Sequence, residues 1–376
     1  MFEPRHADDL VAGIQKWVLC ESPSHAPDTL VQMSKIIIEQ AEAAGLTVKT
    51  FDLGPKTGPA LQLSNRAPGD TRPSLLLLAH YDTVHPVGTL EKNACRIEDG
   101  KLYGPGTYDM KAGTYLALTA LCDVVQSTGT AMPVEFLIVP DEEIGSLYSR
   151  DLIEEHARRA RYTLVCEPAR ANGGRCVTAR KGTGMITLDV HGRPSHAGVA
   201  HEKGRSAIRE IAHHVLALEA LTDYTRGVTV SVGTITGGTT TNVVPSHARL
   251  IADFRIPDEQ AGVELLAKVR GMKAVGPDVT IDVKADLNRP PMPRTDATGE
   301  LLKLAQGFAA EAGFALEEAP MTGGGSDANF AAALGIPCLD GLGADGDGAH
   351  TLFEHVVIET LPQRLAFWQI TLQKLA

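Results

Sequence analysis

The sequence predicts an α/β fold, with helices on both faces of a mostly parallel sheet and a ferredoxin-like module inserted into it. Three observations carry this. Nearly continuous apolar runs at 74–79, 134–139 and 162–166 alternate with helical patterns, as strands buried on both faces do. Near residue 180 the pattern changes to the order β-α-β-β-α-β of a split βαβ module. Beyond residue 294 helical patterns resume, so the second module interrupts the first. The main domain is expected over 1–179 and 289–376, and the insert over 180–288. A chain of 376 residues fits two domains at roughly 100–200 residues each.

Each element has a local reason. Asp8–Val18 and Thr29–Ala44 carry apolar residues at helical spacing, and Gly45 follows the second as a C-cap. Ser74–Ala79, Val134–Val139 and Tyr162–Cys166 are strands, and a helix over Met110–Val125 separates the first two. In the insert, Met185–His191 alternates as a strand does, and Gly204–Leu221 reads as a helix. Val228–Ile235 and Leu250–Arg255 are strand-like, Asp258–Arg270 is helical and Val279–Val283 is extended. Asn-Arg-Pro-Pro-Met-Pro-Arg, residues 288–294, reads as a connector. Helices follow at Thr298–Ala312, Ala328–Leu334 and Leu361–Leu375, with the strand Ile336–Leu339 between the last two.

Composition narrows the function. Hydrophobic residues make up 43% and charged residues 22%, the mix of a soluble globular protein. Lys and Arg total 35 against 46 Asp and Glu, a net charge of −11, which argues against binding nucleic acid or an anionic membrane. No apolar run reaches the ~20 residues of a membrane span. The opening Met-Phe-Glu-Pro-Arg-His lacks the charged-then-apolar order of a signal peptide, so a cytoplasmic location is expected. Six scattered cysteines without a Cys-x-x-Cys pair read as reduced packing residues.

Chemistry concentrates at strand ends. His80 and Asp82 close the first buried run, and alternation points both side chains the same way. Taken alone, the pair is equally a capping or solvated one. Asp109 follows a glycine-rich turn at the mouth of a helix, where an N-cap is the ordinary explanation. Asp141, Glu142 and Glu143 follow a second buried strand, either as a solvated acidic turn or as carboxylates compensated by a cation. Glu167 closes a third strand, and His350 is presented from a glycine-rich loop. Oxygen and imidazole donors without thiolate suit a catalytic zinc, cobalt or manganese site. One shared carboxylate between two His-plus-Glu sets would hold two metals about 3.5–4 Å apart. Glu142 and Glu143 then divide the work, one ligating and one left as a base.

His80-x-Asp82, Gly-x-x-Asp109-Met-Lys-Ala-Gly, Asp-Glu142-Glu143-x-Gly, Glu167-Pro and the late His350 resemble the co-catalytic zinc aminoacylase and glutamate carboxypeptidase family, which includes acetylornithine and succinyl-diaminopimelate deacylases. The likeness runs over almost the whole chain and is nearest the bacterial folate-cleaving glutamate carboxypeptidases. It implies two divalent ions, zinc foremost, with Asp109 bridging them and followed by a cis peptide bond. His80 and Glu167 would complete one ion, and Glu143 and His350 the other. Asp82 would hydrogen-bond and orient His80. Glu142 would be the general base for a metal-activated water that cleaves an amide or peptide bond beside a free carboxylate.

The resemblance also assigns the insert to a homodimer, with His196 reaching the partner's site to stabilise an oxyanion. It points Asn242, Arg255 and Arg289 at the substrate, Arg289 at its carboxylate. Arg175 occupies a position that is basic in the glutamate enzyme and could meet a side-chain carboxylate. An exposed loop histidine and surface salt bridges are the alternatives for His196 and the arginines. The competing functions are an N-acyl amino acid deacylase, a non-catalytic protein that kept the fold, and a serine hydrolase using Ser326. The last lacks a Gly-x-Ser-x-Gly elbow.

Overall fold

In chain order the helices α1 (Ala7–Val18) and α2 (Pro27–Ala43) precede strands β1 (Thr47–Phe51), β2 (Ala60–Ser64) and β3 (Ser74–His80). A short helix α3 (Thr89–Lys92) and strands β4 (Arg96–Glu98) and β5 (Lys101–Tyr103) lead to a tight turn, Thr107–Lys111, and helix α4 (Ala112–Ser127). Then come β6 (Val134–Val139), α5 (Arg150–Ala157) and β7 (Ala160–Val165). The middle of the chain forms β8 (Gly182–His191), α6 (Ala207–Glu219), β9 (Thr229–Gly237), β10 (His247–Ile256), α7 (Glu259–Arg270) and β11 (Thr280–Arg289). The chain closes with α8 (Asp296–Glu311), α9 (Ala328–Ala333), β12 (Cys338–Leu339), β13 (Gly346–Asp347), β14 (His355–Val357) and α10 (Leu361–Lys374). This computed structural model describes residues 5–170 and 173–376; residues 1–4, on which part of the signal-peptide reading rests, lie outside it.

Two compact units emerge. The first comprises Met1–Ala179, Arg294–Thr322 and Ser326–Ala376; the second comprises Arg180–Pro293 and Gly323–Gly325. The first unit is built on a six-stranded sheet of order β1-β2-β6-β3-β7-β12. β6, β3, β7 and β12 run parallel, while β1 and β2 add an antiparallel edge. Both faces of β3 are covered: Leu75, Leu77 and Ala79 join the large core, and Leu76 and Leu78 are as deeply buried on the other side. That is why its sequence reads as an unbroken apolar run. A smaller antiparallel sheet, β13-β14-β5-β4, accompanies it.

α2 ends where a glycine permits it. Gly45 takes φ +82°, its N–H donates to Glu42 O, and the N–H of Leu46 donates to Ala41 O, a Schellman motif.

The second unit is an antiparallel sheet of order β11-β8-β10-β9 with α6 and α7 packed on one face. Ile186, Leu188, Val190, Leu250, Ala252 and Phe254 point into that core at period two. Its β-α-β-β-α-β order is that of a ferredoxin-like module. β11 runs six residues past Val283, to Arg289, because pairing with β8 continues through a register shift between Leu287 and Arg289. The connector read from the proline-rich segment therefore begins later than residue 288.

Candidate metal centre

The neighbours β6, β3 and β7 bring their carboxyl ends to one sheet edge, where open α/β sheets place their sites. β3 ends in His80, β6 runs on into the turn Glu142–Ile144, and Glu167 follows β7. Asp109 comes from the turn ahead of α4, and its bond to Met110 is cis. His350 lies between β13 and β14 with φ +65°.

Imidazoles face opposite oxygens of one carboxylate. His80 Nε2 lies 3.3 Å from Asp109 Oδ1 and 3.7 Å from Glu167 Oε1. His350 Nε2 lies 3.3 Å from Asp109 Oδ2 and 3.2 Å from Glu143 Oε2. Donor atoms of His80, Asp109 and Glu143 lie within 4.8 Å of one another, as do those of His80, Glu142 and Glu167. Ligand atoms about 2.0–2.2 Å from a zinc ion at tetrahedral angles stand about 3.3–3.6 Å apart, close to the four measured spacings. His80 Nε2, Asp109 Oδ1 and Glu143 Oε1 are moreover buried without a hydrogen-bond partner. Buried polar atoms left so are costly unless something else satisfies them. The donor set therefore fits a pair of divalent cations.

Electrostatics agree. Burial, reinforced by the Asp109 charge, pushes the Glu143 carboxyl up to about 8. Burial likewise drives Glu167 far above the usual carboxylate range, with Asp109 and Glu142 adding to it. For Asp109 burial acts in the same sense, but His350 and His80 outweigh it and hold the carboxyl low. Asp109 and Glu143 push His350 up to about 11. Burial opposes charge on His80, yet Asp109 and Asp82 keep its pKa well above the ordinary value. Glu143 and Glu167 are thus pushed toward their protonated forms, and the imidazoles toward their charged ones, where cations would otherwise supply the charge.

Asp82 lies against His80 through its backbone and its side chain. The His80 Nδ1 hydrogen bond, 3.0 Å, is to the backbone carbonyl of Asp82, and the carboxylate oxygen stands 3.4 Å away. The carboxylate also accepts the backbone N–H groups of Glu142 and Glu143, both at 3.2 Å, and the hydroxyl of Ser24 at 2.6 Å. It thus fixes the turn that carries both glutamates. Ser24 escaped the sequence reading, since a serine in Ser-Pro-Ser-His has no pattern that distinguishes it.

The remaining candidates fall in both units. In the first unit Arg175 is half-buried and pairs its backbone with Arg170, outside the cluster. Ser326 is fully buried and donates its hydroxyl to Asp340, an arrangement unlike an exposed nucleophile. In the second unit the loops of His196 and Asn242 are stitched together: Ala197 N–H donates to Asn242 O at 2.9 Å, and Val244 N–H to Ser195 O at 2.8 Å. Both side chains are exposed. Arg255 forks onto Asp253 at 2.8 and 2.9 Å, and Arg289 is buried beside Asn288.

Known proteins share this architecture. The chain is 34% identical over 300 residues to carboxypeptidase G2 of a Pseudomonas species, covering 78% of this chain and 71% of that protein. It is 31% identical over 344 residues to succinyl-diaminopimelate desuccinylase of Ralstonia nicotianae, covering 85% and 88%. Among solved structures, the Bacillus cereus aminopeptidase PepT superposes with a TM-score of 0.78 at 25% identity, covering 98% of this chain and 99% of that one. A Bacillus subtilis protein described as a dinuclear metal-binding peptidase has the same fold, with a TM-score of 0.72 at 16% identity over 98% and 99% of the two chains. The model of peptidase family M20/M25/M40 matches residues 76–374. The chain belongs to peptidase family M20/M25/M40 and is a hydrolytic enzyme.

Proposed function

We propose that this enzyme is a dinuclear metallohydrolase that cleaves an amide or peptide bond beside a free carboxylate, with glutamate-type carboxypeptidase activity as its leading form. The observation that carries the reading is the Asp109 carboxylate, whose two oxygens each face one imidazole. His80, Asp109 and Glu167 are assigned to one ion, and Asp109, Glu143 and His350 to the other. Zinc suits this donor set, with cobalt or manganese as substitutes. Ions held there supply polarisation of the scissile carbonyl and a lowered pKa for water.

Glu142 takes the proton from the attacking water and delivers it to the departing amine. The backbone contact from Asp82 holds it at the sheet edge. Arg289, Arg255 and Asn242 are assigned to the substrate on the resemblance, and Arg175 to a side-chain carboxylate. His196, from a partner's inserted unit, is assigned to the oxyanion. A pocket of about 380 Å³, lined by Pro23, Ala26, Val84, Pro86, Val87 and Ile144 with Glu143 on its wall, offers room for an apolar substrate group beside the centre.

Glu142→Ala tests the base: turnover should fall by about 10²–10⁴-fold while metal content stays close to two ions per chain. Wild-type turnover in that variant would remove Glu142 from the mechanism. Similarity to acetylornithine deacetylase of Myxococcus xanthus, 32% identical over half of each chain, favours a second reading as an N-acyl amino acid deacylase. A panel of N-acetyl- and N-benzoyl-glutamate, glutamyl dipeptides and N-acetylornithine decides between them. Preference for the ornithine derivative would displace the glutamate reading.

A further inference from the structure

Glu354 has no part in the chemistry assigned above, yet it is fully buried four residues beyond His350. Its carboxylate accepts four hydrogen bonds. Oε1 takes the backbone N–H groups of Tyr108 at 2.8 Å and of Asp109 at 2.9 Å. Oε2 takes the N–H of Gly106 at 2.9 Å and His85 Nε2 at 2.7 Å. Its backbone carbonyl adds the N–H of Gly104 at 3.3 Å. Four donors fill the roughly four acceptor sites of a carboxylate.

These amides belong to the turn ahead of α4, where no helical ladder supplies them with partners. The carboxylate therefore replaces a helix cap for the turn that presents Asp109. Its segment is fixed in turn: β14 begins at the next residue, His355, which pairs with Tyr103 of β5, just before the Gly104 turn. One stretch of chain, 350–354, thus holds Asp109 at two points, His350 Nε2 on its side-chain oxygen and Glu354 on its backbone nitrogen.

We propose that Glu354, supported by His85, is a positioning residue that sets the metal affinity of the centre by fixing the backbone of the shared ligand Asp109. The proposal rests on the reading of Asp109 and His350 as ligands. Glutamine in its place would turn an NH₂ group toward the two donors that one oxygen now accepts, leaving at least one backbone N–H unpaired and the turn free to shift. Outer partners of this kind alter metal affinity by about 10–100-fold.

The test uses the full chain in wild-type, Glu354→Gln and His85→Ala forms. Zinc affinity is read by competition with a chromophoric chelator, the visible spectrum is read after loading with cobalt, and the metal-free melting temperature is measured. Glu354→Gln should bind zinc about 10–100-fold more weakly, and its cobalt bands should shift even at saturation. His85→Ala should show a smaller loss in the same direction. A role confined to folding would lower the metal-free melting temperature and leave the saturated cobalt spectrum unchanged; that result overturns the proposal. So does wild-type affinity in Glu354→Gln, or in His85→Ala should the first variant fail to fold. Failure of wild-type protein to bind a pair of ions would instead overturn the reading of the centre itself.

Discussion

Asp109 shows how a single side chain is shared out. Its oxygens face His80 and His350, and its amide is held by Glu354. In the metal-free protein at pH 7 the surrounding groups keep protons: Glu143 titrates near 8 and His350 near 11. A ligating imidazole or carboxylate must give its proton up, so metal binding and protonation compete. Zinc binding at pH 7 should therefore release protons, and affinity should fall as the pH is lowered from 8 to 6. Calorimetry in buffers of different ionisation enthalpy measures the release; proton uptake would contradict the ligand assignment. That His80, Asp109, the Asp141–Glu143 acids, Glu167 and His350 sit at strand ends or glycine-rich turns was legible in the sequence; dividing them into ligands and base came from the family resemblance. Ser24, His85 and Glu354 were not legible: Glu354 serves backbone N–H groups, while Ser24 and His85 bond the carboxylates of Asp82 and Glu354, and none of these contacts imposes a residue spacing. A second task of the Asp82 carboxylate, holding the amides of Glu142 and Glu143, was likewise hidden.

The order β6-β3-β7 does most of the assembling, because three parallel neighbours deliver His80, Glu142, Glu143 and Glu167 to one edge. Close backbone approach keeps Glu167 there. A Cβ on Gly113, in the first turn of α4, would stand 2.4 Å from Cys166 O and 2.9 Å from the Cα of Gly343. Gly113→Ala should destabilise the protein by about 1–3 kcal/mol, seen as a lower urea midpoint with an unchanged slope. An unshifted midpoint would mean that β7 yields without cost. The long elements were readable from periodicity and caps: Asp258 accepts from Ala261 N–H at the start of α7, as a boundary residue should. β1, β2, α5 and the small sheet escaped. β4 and β5 are three residues each, and β1 is a partly exposed edge strand, too short and too polar to leave a clear period.

Across the chain, the second unit offers a surface that no described element covers. β9 is an edge strand of nine residues, and Ile235 on it is 55% exposed. Uncapped edges pair readily with another copy, and a charge on them prevents it. This supports the proposed homodimer: sedimentation should report twice the chain mass for the wild type and one chain mass for Ile235→Lys. A wild-type monomer at micromolar concentration would remove both the dimer and the role assigned to His196.

The first unit is assembled from three separated stretches of chain, with its ligand candidates spread from residue 80 to residue 350. During synthesis the ribosome must therefore release the chain through residue 350 before the centre has its full complement of donors. A nascent chain that has emerged only as far as β11 carries four of the five and lacks His350, along with Glu354 and α10. If these five residues are the ligands, metal loading would have to wait until residue 350 has emerged, and a product cut short of it would lack a donor.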